Sequence, residues 1–240
     1  VKCSGLVAAL AGVFFQCAAW AEKPAPAAPP PPPSGGALEA VSLIPKEAAK
    51  RLARVEAREG APFPERWYVL VFDPDVPTGV REFVVSKSRI VAARQLSQFA
   101  DTLTEPDSFV DTLLRADADY CIRLGQVYAA TNGLKAVSFD FELARPGGNL
   151  TAPSGVPKTE ATWPIWRLTV LDASGDQIGV LLISAVRGTV LSHDGFEKTP
   201  DSAYLPPQPT LPPASVLYPK PPAPPKKTPP KSSGKKGKNN

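Results

Sequence analysis

Strict alternation of apolar and polar positions marks several strands. In residues 136–143, Val137, Phe139, Phe141 and Leu143 share one face while Ser138, Asp140 and Glu142 share the other, the period-two pattern of a half-buried strand. Residues 67–73 and 80–86 read as two strands joined by the loop 74–79. Residues 166–172 and 178–184 read as another pair across the turn 173–176, with a short last strand near 189–191. Helical spacing is clearest at 45–59, where Ala48, Leu52 and Val55 recur at i, i+4 and i+7, Pro45 suits a first turn and Gly60 terminates. A second helical region runs over 106–131, broken near 116–119. Thr104 and Asp107 have capping-box spacing, Asn132-Gly133 is the stop, and Ala118, Cys121, Ile122, Gly125 and Tyr128 form the stripe expected to bury.

The two halves of this pattern are alike. Trp67-x-Val69-x-Val71-x-Asp73 matches Trp166-x-Leu168-x-Val170-x-Asp172 position for position. Residues 84–91 can likewise be laid on 182–190 with one gap. A period of roughly 100 residues points to duplication of a small unit, since solenoid repeats run about 20–50. The outward positions differ between the copies. Arg167 and Thr169 are polar, whereas Tyr68, Leu70 and Phe72 form an apolar row that should not face water. Cover would come from the other copy, from the connection 91–104, or from a partner protein. Trp163, held extended by Pro164, is either a further candidate anchor for a partner or a gasket under the long loop 145–164.

Helix, hairpin and then Ile183-Ser-Ala-Val-Arg-Gly-Thr-Val190 resemble the PepSY domain of exported bacterial proteins, with Ala185, Gly188 and Val190 matching its terminal turn and Ser184 in place of the customary acid. The resemblance covers about 117–191 and, less fully, 45–91. It implies a non-catalytic envelope or secreted module that binds or restrains peptidases, with neither catalytic nor metal-binding residues. The fold expected is therefore α+β: two small units, 38–104 and 105–204, each a helix packed on an antiparallel sheet.

Composition adds the flanks. Of 30 prolines, seven lie in 24–33 and twelve in 206–230, so neither stretch can build helix or interior sheet. Residues 1–21 carry Lys2, an apolar run from Leu6 to Phe15 and Ala19-Trp20-Ala21, the layout of a cleaved export signal. The mature chain is then expected in the periplasm or outside the cell, without a transmembrane helix. Residues 22–37 read as a stiff proline-rich linker. Residues 205–240 read as a disordered tail whose lysines, Lys220, Lys226, Lys227, Lys231, Lys235, Lys236 and Lys238, have no acid among them. The stretch 38–204 has 18 Lys+Arg against 22 Asp+Glu, a formal −4, while the tail alone is +7. Lys226 to Lys238 are thus candidates for an electrostatic tether to an anionic wall or membrane polymer, and export argues against a nucleic-acid partner.

Candidate chemistry is sparse. Cys121 alone remains after signal cleavage, so no intramolecular disulfide can form, and its helical apolar setting makes it a small buried hydrophobe. One histidine and one cysteine cannot make the usual zinc set. His193 sits in a polar segment after the last strand with no G-x-S-x-G elbow in the chain, and reads as a loop residue. Asp117-Ala-Asp119 reads as the start of a helix. Asp140 and Glu142 project from one strand face near Arg167, which reads as a surface charge network, with acid–base hydrolysis as the third reading. No cofactor is expected. The function expected is non-catalytic binding of another envelope or secreted protein, a peptidase among the candidates, with a tail-tethered structural protein as the alternative.

Overall fold

Eight strands pair antiparallel in a single sheet, ordered β4-β3-β2-β1-β5-β6-β7-β8. They are β1 (Leu52–Gly60), β2 (Arg66–Phe72), β3 (Val80–Ser86), β4 (Arg89–Gln95), β5 (Ser138–Ala144), β6 (Ile165–Leu171), β7 (Gln177–Ser184) and β8 (Val190–Asp194). The computed structural model describes residues 36–96, 103–147, 151, 153–155, 162–212 and 217. The expected export signal, all but the end of the expected linker, and the tail lysines lie outside them. Among the described residues, three helices, α1 (Ala37–Leu43), α2 (Lys46–Ala49) and α3 (Ala118–Thr131), accompany the sheet. Single 3-10 turns lie at Glu105–Asp107, Asp111–Leu113 and Ser202–Tyr204.

The expectation of two separate helix-on-sheet units is overturned. Each half supplies a four-stranded meander, but β1 and β5 pair with one another, with Val55 opposite Leu143 and Ala57 opposite Phe141. The halves therefore share one continuous sheet and one core. Both have the same order, helix then four strands, and α1 lies over β2 and β3 as α3 lies over β6 and β7. The aspartates ending the matched segments start their hairpins in the same way. Asp73 Oδ1 accepts from the Asp75 amide at 3.1 Å and Asp172 Oδ1 from the Ser174 amide at 2.8 Å, each an Asx-turn.

The helix expected at 45–59 is a second correction. It ends at Ala49, and Leu52–Gly60 is a central strand instead. A register irregularity between Leu52 and Arg54 is the reason. A bulge inserts one residue and shifts the alternation, so Leu52, Val55 and Ala57 all reach the helix side with a spacing that begins like a helix. β4 escaped notice for a different reason. All seven of its residues are exposed, so no face of it alternates.

Aromatic rings close the core over the β1–β5 seam. Trp67 reaches across small Ala57 to Phe141, with centroids 5.4 Å apart, and to Trp166 at 6.3 Å. Trp166 buries completely and donates its Nε1–H to the Ala116 carbonyl at 2.9 Å. The stripe expected on α3 is buried as read, and burial pushes the Cys121 thiol well up, leaving it protonated within the core. Gly125 is obligatory there, since a Cβ would lie 2.9 Å from the Phe139 ring and 3.0 Å from Leu168.

One carboxylate ties the two helical starts together. Asp117 accepts from the Ala118 amide at 2.7 Å, capping α3, and from the Leu38 amide at 3.2 Å, in the first turn of α1. A Cβ at Gly36 would meet Asp117 Oδ2 at 2.2 Å, so the approach needs glycine. Burial pushes the Asp117 carboxyl above its ordinary 3.8, outweighing the amides of Ala118, Leu38 and Ala37 that favour its charge.

Two predictions follow from this packing. Trp67→Ala should cost about 3–5 kcal/mol in chemical denaturation, because its cavity opens beneath both halves. For Asp117 the raised pKa sets the sign. Its contribution is fully present below the unfolded pKa and is lost as pH rises through the folded one. Wild type should therefore lose stability relative to Asp117→Asn as pH rises above about 4, as urea unfolding at stepped pH will read.

Candidate functional site

The side of the sheet opposite the helices carries its charge in the middle. Arg54, Glu56 and Arg58 on β1, Asp140 and Glu142 on β5, and Arg167 and Thr169 on β6 line an open depression of about 400 Å³. Alternation places them. Glu142 stands between Glu56 on one neighbour and Arg167 on the other, and Asp140 is opposite Thr169. Arg54 lies between the acids, its Nη1 3.3 Å from Glu56 and its Nε 3.8 Å from Glu142. Arg167 thus has the place opposite Glu142 that the sequence assigned to it, but the ion pair to Glu142 comes from Arg54. Arg58 and Arg167 form no ion pair among the described residues.

Asp140 is engaged structurally. Its Oδ1 accepts the Glu59 amide at 2.8 Å, at the point where the β1–β5 register shifts between Ala57 and Gly60. Glu59 has φ 54°, a left-handed conformation that a non-glycine residue adopts at some cost. The carboxylate holds that kink with one of its oxygens.

Hollows flank the charged middle on the same face. Toward β3, one of about 740 Å³ is lined by Phe63, Tyr68 and Leu70 with Glu56, Glu59, Glu65 and Glu82, and by Arg58 and Arg66. Toward β8, one of about 300 Å³ is lined by Thr151, Arg167, Gln177, Val180, Leu182 and the Ser192–Asp194 segment. Arg58 and Arg167 each border two of the three depressions, so they run together as one groove across the strands.

The partner anchors read from sequence separate in space. Leu70 is buried under Leu103 in a small cluster with Ala53 and Val80, with Leu96 and Tyr68 packed against it. Leu96 and Leu103, in the connection 91–104 that was one of the three covers expected, thus pack over Leu70. Phe72 is half-buried against Gly79. Tyr68 and Leu70 both line the open hollow toward β3, Tyr68 half-buried and Leu70 buried. Trp163 is buried, with the Arg187 guanidinium 5.4 Å over its ring, so it serves as packing and not as an exposed anchor. Arg145 braces that region, donating to the carbonyls of Thr162, Pro106 and Ser108. Lys226, Lys227, Lys231, Lys235, Lys236 and Lys238 lie outside the described residues.

His193 belongs to β8 and not to a loop. It is opposite buried Leu181, on the helix side, with its ring 5.4 Å from Tyr128 and Nε2 3.2 Å from the Thr199 hydroxyl. The strand acids occupy the other face. Among the described residues, no three His, Cys, Asp or Glu side chains are placed to hold a metal ion, and no helix is long and apolar enough to cross a membrane. The residues sequence reading missed are Arg54, Glu56 and Arg58, hidden by the helical reading of β1. Their own alternation, counted from Val55 onward, is the signal that could have found them. No family model, curated protein or solved structure matches the chain.

Asp140→Ala should lower stability by about 1–2 kcal/mol through loss of a charge-assisted hydrogen bond. Hydrogen exchange should quicken at the Glu59 amide first, while amides of β7 keep their wild-type protection.

Proposed function

We propose that this chain is an exported, non-catalytic module that binds another envelope or secreted protein along the open groove of its sheet. The observation that carries the reading is the pair Arg58 and Arg167, two guanidiniums on neighbouring parts of one open face without ion-pair partners among the described residues. A guanidinium offers a planar fork of donors suited to carboxylates. Two of them two strands apart, about 10 Å, suit acidic side chains on one extended segment. Glu56 and Glu142, with Arg54 between them, would repel a segment carrying acids at the wrong spacing. The strands bearing these groups belong to a continuous ladder, so little ordering cost attaches to the binding surface itself.

The expected partner is a protein with an exposed acidic stretch, and a peptidase remains the class the sequence resemblance implies. Arg58→Glu combined with Arg167→Glu tests this. Both side chains project from the sheet face opposite the core, so stability should stay within about 0.5 kcal/mol of wild type. Crosslinking in intact cells should yield a defined partner band with wild type that is lost in the double variant. An identical band in both proteins would refute the groove as the binding surface, and measurable turnover at Asp140 and Glu142 would refute the non-catalytic reading.

A further inference from the structure

The flanking hollow toward β3 differs from the charged middle, because its floor is aromatic and its rim is acidic. Phe63 and Tyr68 are half-buried in its lining, and of the four carboxylates there Glu56 and Glu82 pair with Arg54 and Arg94, which leaves Glu59 and Glu65 exposed beside the rings. Aromatic floors with acidic rims fit extended polyproline segments that carry basic residues, because proline rings stack on the aromatics while cations meet the acids. The chain has such a segment. Residues 220–231 read Lys-Pro-Pro-Ala-Pro-Pro-Lys-Lys-Thr-Pro-Pro-Lys, with four lysines, six prolines and no acid.

We propose that this segment of the chain's own tail docks in the hollow at Phe63 and Tyr68, with its lysines on Glu59 and Glu65. Charge favours it: 38–204 is formally −4 and the tail +7. Length allows it. The described chain runs without a break from Thr162 to Pro212, with Pro209 against Gly188. Residues 213–226 extended as polyproline II reach on the order of 40 Å at about 3 Å per residue. Eight strands spaced about 4.8 Å apart span only about 34 Å. The segment therefore reaches the hollow from its own chain, and tethering raises its local concentration to the millimolar range. The docking stands on the hollow and the tail alone, independently of whether Arg58 and Arg167 bind an acidic partner.

Trypsin clipping of the tail in the full chain, followed by intact mass, tests the proposal. Cleavage after Lys226, Lys227 and Lys231 should be slow at low salt and should accelerate about fivefold or more in Glu59→Lys/Glu65→Lys and in 0.5 M sodium chloride. Glu39→Lys/Glu47→Lys changes net charge equally on the helix side and should leave the tail protected. Equal clipping of wild type and the Glu59/Glu65 variant would overturn the docking. Equal loss of protection in the Glu39/Glu47 variant would overturn the site in favour of diffuse attraction. Protection that vanishes on dilution would overturn the intrachain arrangement in favour of a second copy.

Discussion

The pairing of β1 with β5 is the constraint on which the rest of the molecule depends. Each half contributes four strands but little helix, seven residues in α1 against fourteen in α3. A four-stranded meander with one small helix would leave much of its apolar face wet, and small domains of that size are marginal. Joining the inner strands places Trp67, Phe141 and Trp166 over one seam, where each half covers the other's edge. Asp117 then fixes where both helices begin, so the cover and the sheet cannot slide independently.

Much of this was legible wherever side chains alternated cleanly. β2, β3, β5, β6 and β7 follow from period-two patterns, and of the apolar row Tyr68, Leu70 and Phe72 it is Leu70 that acquires a cover. What covers it, Leu103 with Leu96, could not be chosen from three options by pattern alone, because a connecting segment has no period. β1 misled through its bulge, and the whole sheet was misjudged with it, since a helix at 52–59 leaves each half with a separate small sheet. The candidate site suffered the same way. Asp140, Glu142 and Arg167 lie on alternating strands and were found, whereas Arg54, Glu56 and Arg58 were placed on a helix surface that does not exist.

The open face combines two kinds of recognition surface on one rigid frame. Its centre balances three guanidiniums against three carboxylates, and two of the guanidiniums have no ion-pair partner among the described residues; its flank sets Phe63 and Tyr68 beside the exposed Glu59 and Glu65. A surface so divided discriminates by charge spacing as much as by shape, which is how specificity arises without deep burial. The half-buried position of Asp140, tied to the Glu59 kink, makes the groove's geometry depend on the register of the central strands.

β4 ends the sheet with a bare ribbon of backbone donors and acceptors, and Ile90 and Val91 on it are among the few large apolar side chains left in water. Such a margin invites zippering between molecules as concentration climbs. Arg89 and Arg94 flank the apolar pair, and the ladder to β3 slips beside Val91, so the ribbon is both charged and locally bent. The chain tolerates an unfinished border because repulsion and curvature spoil the template it would otherwise offer.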